Sequence, residues 1–170
     1  MAYTVKYAIK FCIKHNKKFI FIIKTKNNKK KLKKELEFYK KYLSRKEFIF
    51  LMSNSTKSKV GRFTSYIEMF QSKVAVSTIS TMLGENLALG KKILACNLTN
   101  LDLLDFPNGG ICAIKHCSYE KFEKRLSYIL SASNKKYFSK LSKNKNYIVS
   151  FSTKISTIKI LQDIIRKLLS

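Results

Sequence analysis

The stretch KVAVSTISTMLGENLALGKKILACN, residues 73–97, contains the pattern that decides the fold. Residues 73–78 and 91–97 are short apolar runs typical of strands. Between them, residues 80–90 open with hydroxyl side chains that favour a helix start and close on a glycine that favours a helix end. A strand, a helix and a second strand in succession predict a βαβ unit, whose two strands lie parallel in one sheet.

The segments on either side of this unit extend the alternation. Continuous β-branched and aromatic runs predict further strands at residues 17–25, 47–53 and 110–115. Apolar residues recurring every three or four positions predict helices at residues 2–15, 28–43, 64–70, 119–131, 134–142 and 154–169. We expect an α/β fold: a Rossmann-like, three-layer domain with a parallel sheet of about five strands and C-terminal helices. Neither a repeat nor a long linker divides the sequence, so residues 1–170 are predicted to form one domain.

Composition limits the classes of protein to consider. A chain of 170 residues with 45% hydrophobic and 12% aromatic residues, one proline and five glycines is neither collagen-like nor disordered. The formal net charge is +25, from 31 lysines and 4 arginines against 10 acidic residues. Such a charge favours an anionic partner, such as a nucleotide phosphate, an anionic lipid or a nucleic acid. The predominance of lysine over arginine weakens this signal and favours a generic basic surface arising from an AT-rich genome.

The cysteines predict free thiols and no metal site. Their low density suits a reducing compartment, in which disulfides are rare. Cys112, His116 and Cys117 lie close together, but three ligands at this spacing without a fourth make a poor zinc site. Lysines interrupt the first apolar residues, and every window of about 20 residues carries charge, which predicts neither a secretory signal nor a spanning helix. We expect a cytoplasmic protein that associates at most peripherally with the inner face of the membrane.

The most informative junction is the one between the first strand and the helix of residues 73–97. In an open parallel sheet, ligands bind beyond the carboxyl ends of the strands, where helix N-termini offer unpaired N–H groups. Ser77, Ser80 and Thr81 could bring hydroxyls to a phosphate there, and Glu85 lies about one and a half turns into the helix, within reach of a ribose diol. The alternative is that Ser80 or Thr81 only caps the helix and Glu85 is an acid favoured by the helix dipole.

Residues 73–97 resemble the donor-binding segment of GT-B glycosyltransferases, particularly those of bacterial surface-carbohydrate biosynthesis. In that family a strand ending in Ser or Asp leads into a serine-containing turn, then a helix with a glutamate, then a glycine-lysine step into the next strand. The order of the remaining elements fits as well. The residues that match the family's segment are Ser77, Ser80, Thr81, Glu85, Gly90 and Lys91.

The resemblance implies a nucleotide sugar as donor substrate and no further cofactor or metal. By it, Ser80 and Thr81 hold the donor phosphate near Ser77, and Glu85 hydrogen-bonds the ribose. Arg62 or Lys24 stabilises the departing diphosphate, whose negative charge grows in the transition state. A GT-B enzyme has two lobes, and the N-terminal acceptor lobe is absent here, so a separate lobe or partner chain is expected to complete the enzyme.

Two other functions remain open from the sequence. A basic nucleic-acid-binding module without catalysis would explain the charge and the nine tyrosines, although no nucleic-acid-binding motif is recognisable. A sugar-nucleotide epimerase or a polyol-phosphate transferase would keep the fold and change the chemistry. A peripheral role on anionic lipid for the basic helices at 29–46 and 154–169 is compatible with the glycosyltransferase hypothesis.

Overall fold

A computed structural model of the chain describes residues 2–23, 28–56, 64–107 and 109–141. In these ranges, seven α-helices, one 3-10 turn and three strands follow one another along the chain. They are α1 (Ala2–Lys14), α2 (Lys29–Tyr42), α3 (Arg45–Ser53), α4 (Thr64–Gln71), β1 (Ala75–Ser77), α5 (Thr81–Ala88), β2 (Ile93–Asn97), the 3-10 turn Asp102–Leu104, β3 (Ala113–Lys115), α6 (Tyr119–Ser131) and α7 (Asn134–Phe138).

The three strands form one parallel sheet in the order β1-β2-β3. Ala75 pairs with Ile93, and Ala95 pairs with Ala113 on the other side. All five residues of β2 are buried. Because successive side chains of a strand point to opposite faces, this burial means that both faces of the sheet are covered at β2. The predicted α/β class, the parallel sheet and the βαβ unit of residues 73–97 are confirmed.

The prediction of about five strands is wrong for the part of the chain that the structure describes, which has three. Residues 47–53, predicted as a strand, lie in helix α3. Ser44 and Glu47 form a capping box: the Ser44 hydroxyl accepts from the Glu47 N–H at 3.3 Å, and the Glu47 carboxylate accepts from the Ser44 N–H at 2.8 Å. This local signal starts a helix, and a short apolar run is compatible with either structure.

The segment predicted as a strand at residues 17–25 also lies outside the sheet. Its described part, up to residue 23, makes a single parallel bridge, between Phe21 and Ser55. The Phe21 N–H donates to the Asn54 carbonyl at 2.8 Å, and the Thr56 N–H donates to the Phe21 carbonyl at 2.9 Å. Residues 47–53, which were predicted to form a neighbouring strand, fold into α3 instead. Within the described residues, Phe21 therefore makes only this one bridge. Residues 24 and 25 and the predicted helix at 154–169 lie outside the described residues.

Helix α1 contributes to two hydrophobic clusters. Phe11 belongs to the main core, which the sheet forms with α5, α6 and α7. Ile9 belongs to a second cluster with Leu43 and Leu51, which lies between α1, α2 and α3. Helix α1 therefore joins the sheet layer to helices α2 and α3. Within the described ranges, no helix is both long enough and apolar enough to cross a membrane.

The Tyr137 hydroxyl pairs with backbone that the sheet leaves unpaired. The β2–β3 register begins at Ala95, so Ile93 lies beyond the end of the β3 ladder. There the Tyr137 hydroxyl donates to the Ile93 carbonyl at 2.8 Å and accepts from the Ile93 N–H at 3.1 Å. Tyr137 is fully buried, and this double hydrogen bond joins α7 to the start of β2.

We predict that Tyr137→Phe lowers the free energy of unfolding by about 1–3 kcal/mol, because two buried backbone groups lose their partner. The matched control is Tyr128→Phe, since the Tyr128 hydroxyl is buried without a hydrogen-bond partner among the described residues. This control should leave stability nearly unchanged. Urea denaturation followed by circular dichroism measures both variants, and equal effects of the two would contradict the assigned role of Tyr137.

Candidate functional site

The β1–α5 junction presents its residues at the carboxyl end of the sheet. Ser77 is the last residue of β1 and pairs with Ala95. Ser80 is the N-cap of α5, with extended backbone at φ −166° and ψ 131°. Its side chain makes no capping hydrogen bond within the described part of the chain, in contrast to the other serine caps. The Ser80 hydroxyl therefore forms no hydrogen bond with the backbone N–H groups at the start of α5.

Glu85 lies on the same face of α5 as Thr81, four residues earlier. Thr81 is exposed and Glu85 is half-buried. Tyr66 of α4 stands beside the Glu85 carboxylate, which raises the pKa of the Tyr66 phenol through a side-chain hydrogen bond and through its negative charge. The carboxylate oxygen Oε2 of Glu85 is buried and has no hydrogen-bond partner among the residues described. A buried acceptor of this kind is costly unless something donates to it.

Asn86 is a second unsatisfied group on α5, and the sequence analysis missed it. Its side chain is 1% exposed, and its Nδ2 finds no partner in the described ranges. Asn86 is buried together with Leu83 and Leu87, on the side of α5 that packs toward the sheet. The available signal was its position: an amide beside leucines that recur at helical spacing is predicted to face the core.

Helix α1 covers part of the same edge of the sheet. The Thr4 and Thr78 hydroxyls share a hydrogen bond of 2.9 Å, and the Thr4 hydroxyl also donates to the Cys96 carbonyl at 3.3 Å. Both threonines are buried. Ile79 and Thr81, by contrast, are exposed. The solvent-accessible side of the junction therefore runs from Ile79 into the first turn of α5. At Thr78, helix α1 covers the junction and excludes solvent.

The structure brings four of the six predicted site residues into one segment. Ser77, Ser80, Thr81 and Glu85 follow one another from the end of β1 into the second turn of α5. Lys24 and Arg62, predicted to stabilise the departing diphosphate, lie outside the described residues.

A polar network closes the carboxyl ends of β2 and β3. The Asn97 Nδ2 donates to the Leu101 carbonyl at 2.9 Å and to Asp105 Oδ1 at 2.7 Å, while its Oδ1 accepts from the N–H and the hydroxyl of Thr99. Asp105 Oδ2 accepts from Lys115 Nζ at 2.8 Å. The pKa of Asp105 is lowered chiefly by the hydrogen bond from Lys115 and next by the one from Asn97. In turn, the Asp105 carboxylate raises the pKa of Lys115. Because these groups satisfy one another, the network serves to fix the loop after β2.

The cysteines do not form a reactive or metal-binding centre in the described structure. None of the four, all of which are described, forms a disulfide. Burial raises the pKa of the Cys12 and Cys112 thiols to about 11, so both stay protonated at neutral pH and are weak nucleophiles. No group of three or more His, Cys, Asp or Glu residues suited to a metal ion occurs in the ranges described.

Comparison with known proteins finds no relative. No family model, curated protein or solved structure matches the chain.

We predict that Asn97→Ala lowers the free energy of unfolding by about 1–3 kcal/mol, because the hydrogen bonds that the buried Asn97 amide makes to Thr99, Leu101 and Asp105 are lost. Asn100→Ala, on the exposed side of the same loop, is the matched control and should be close to neutral. Urea titration of both variants measures the effect. A neutral Asn97→Ala would mean that the loop does not depend on this network.

We also predict a pH dependence from Asp105. Its pKa is lower in the folded than in the unfolded chain, so it contributes stability above the unfolded value, about 3.9, that is lost as pH falls through the folded value. Asp105→Asn should therefore lower the urea midpoint at pH 6, and the difference from wild type should shrink below roughly pH 4. Asp102→Asn is the control, because that carboxylate is 85% exposed and 3.7 Å from Lys115. A difference that is constant with pH would contradict the assignment.

Proposed function

We propose that this chain binds a nucleoside diphosphate sugar at the β1–α5 junction and is the donor-binding domain of a GT-B type glycosyltransferase, with a Rossmann-like arrangement of its strands and helices. The observation that carries the proposal is the buried Glu85 Oε2, which has no hydrogen-bond partner among the described residues and lies about one and a half turns beyond Ser80, whose hydroxyl does not cap the helix. In this proposal the Glu85 carboxylate accepts a hydrogen bond from a sugar hydroxyl, and the Ser80 hydroxyl donates one to a phosphate oxygen. Both residues belong to α5 and its N-cap.

The diphosphate takes the position at the start of α5. A helix N-terminus carries partial positive charge and offers N–H groups, and here it follows the carboxyl end of a parallel strand. The Ser80 hydroxyl adds a donor, and the exposed Thr81 stands next to it. Thr78 takes no part in this binding because its hydroxyl is hydrogen-bonded to Thr4.

The ribose takes the position beside Glu85. A ribose diol carries two hydroxyl donors, and a carboxylate accepts such hydrogen bonds strongly because it is charged. The Tyr66 phenol forms a hydrogen bond with the same carboxylate. From Thr81 to Glu85 the helix rises about 6 Å, a distance that suits a ribose and the phosphate attached to it.

The transfer reaction itself needs more than these residues. An acceptor hydroxyl attacks the anomeric carbon of the donor sugar, the bond from that carbon to the diphosphate oxygen breaks, and the hydroxyl proton passes to a base. The negative charge that develops on the diphosphate calls for a fixed cation, a role for which Arg62 and Lys24 stay predictions. We assign the base and the acceptor site to a second lobe or partner chain, and the reaction to surface polysaccharide or glycolipid assembly in the cytoplasm.

Thermal-shift measurements with UDP, CDP, GDP and their sugar conjugates test the donor site. At about 1 mM ligand and a Kd of about 0.1 mM, one of these nucleotides should stabilise the protein by about 1.4 kcal/mol, or roughly 3–6 °C in Tm. Ser80→Ala and Glu85→Ala should abolish most of the shift. Ser80→Ala should leave the Tm of the free protein nearly unchanged, because the hydroxyl makes no capping bond with described residues.

Two controls match these variants. Ser118→Ala removes a serine cap that accepts from the Lys121 N–H, so it should cost about 1 kcal/mol of stability and keep the ligand shift. Glu37→Ala removes an exposed carboxylate on α2 and should also keep the shift. The absence of stabilisation by every nucleotide would remove the donor-site assignment. Binding of RNA in about 300 mM salt without any nucleotide response would favour the nucleic-acid module instead.

A further inference from the structure

Helix α2 carries an exposed cluster of aromatic and basic side chains that the proposed donor site does not use. Tyr3 of α1 is 53% exposed, and Phe38 and Tyr42 of α2 are 40% and 37% exposed. Exposed lysines lie beside the two α2 rings at three- and four-residue spacing, which places them on the same side of the helix. We call this surface the aromatic–basic patch; it consists of Tyr3, Lys31, Lys34, Phe38, Lys41 and Tyr42.

The Tyr42 ring contacts the other two rings of the patch. The Tyr3 and Tyr42 ring centroids are 6.2 Å apart, with their planes at 61°, and those of Phe38 and Tyr42 are 5.1 Å apart at 53°. The Lys41 ammonium lies 5.8 Å from the centroid of the Tyr42 ring. The patch is thus a continuous apolar surface with cations at its border.

The composition of α2 is that of a helix at an interface. It contains seven lysines and two glutamates, a net charge of +5 over 14 residues. All of its residues are described, and none is buried. Leu32, Leu36 and Tyr39 are half-buried, so α2 rests on the protein with one side and keeps the lysines and the Phe38 and Tyr42 rings accessible.

We propose that the aromatic–basic patch binds the surface of an anionic lipid bilayer. The lysines would meet lipid phosphates, and the tyrosine and phenylalanine rings would enter the boundary between headgroups and acyl chains. Nucleic acid fits the patch less well. Bases stack on open ring faces, whereas these rings meet one another at steep angles, and the patch contains no arginine. This inference does not depend on the proposed donor site.

Co-sedimentation of the full chain with vesicles tests the proposal. The protein should bind phosphatidylcholine vesicles that contain about 30% phosphatidylglycerol and should not bind pure phosphatidylcholine. Replacing Lys31, Lys34 and Lys41 together by alanine should lower the partition coefficient on the order of a hundredfold, since each lysine near an anionic surface contributes about fivefold. Phe38→Ala with Tyr42→Ala should weaken binding at unchanged net charge.

The matched control removes the same charge elsewhere. Lys121, Lys124 and Lys135 are exposed on α6 and α7, and their triple alanine variant should keep most of the binding. If the two triple variants lose binding equally, the attraction comes from total charge and the patch assignment is overturned. Circular dichroism of each variant shows that it is folded. Binding of poly(U) with the same dependence on Lys31, Lys34 and Lys41, in the absence of vesicle binding, would assign the surface to nucleic acid and overturn the proposal.

A tryptophan reporter gives a second, independent measurement. The chain has no tryptophan, so Tyr42→Trp introduces a single one within the patch. Its emission should move to shorter wavelength on anionic vesicles and be quenched by brominated lipid. Leu103→Trp places the probe at a residue that is 90% exposed in the loop after β2, and its emission should not change. An unchanged emission from Tyr42→Trp on vesicles that sediment the protein would show that another surface binds lipid.

Discussion

The burial of β2 on both faces is the constraint on which the rest of the structure depends. A strand without access to water must pair every backbone N–H and carbonyl inside the protein. The ladders to β1 and β3 pair most of them, and where the β3 ladder has not yet begun, the Tyr137 hydroxyl pairs with Ile93. Tyr137 of α7 thus supplies, at the start of β2, the hydrogen-bond partner that β3 does not supply to Ile93.

The same constraint shapes the carboxyl edge of the sheet, where ligands bind in folds of this class. Past the end of β2, Asn97 and its partners hold the following loop, and past the end of β1, the Thr4–Thr78 pair holds α1. These contacts close the positions after β2 and at Thr78. Ile79 and Thr81 remain exposed at the start of α5, and one turn after Thr81 the Glu85 Oε2 atom is buried without a described partner. The proposed donor site therefore contains one of the buried polar atoms that the described residues leave without a hydrogen-bond partner.

The lysines of α2 and the apolar core residues occupy different parts of the fold. The main core is built from apolar side chains, while α2 carries lysines around exposed rings. A net charge of +25 could arise from composition alone. The grouping of three lysines with three rings, two of which contact Tyr42, is a feature of the folded surface, because Tyr3 and Tyr42 come from different helices.

The sequence by itself determined the βαβ unit, most of the helices and the location of Ser77, Ser80, Thr81 and Glu85, because hydrophobic period and capping residues act over short distances along the chain. The strand predicted at residues 47–53 was wrong because a short apolar run suits a strand and a helix alike; the Ser44–Glu47 capping box that starts α3 is a local pattern already present in the sequence. The Thr4–Thr78 contact and the role of Tyr137 were decided only by the tertiary structure. Each of these depends on which distant backbone or side-chain group lacks a partner after the layers have packed, and that is a property of the assembled fold.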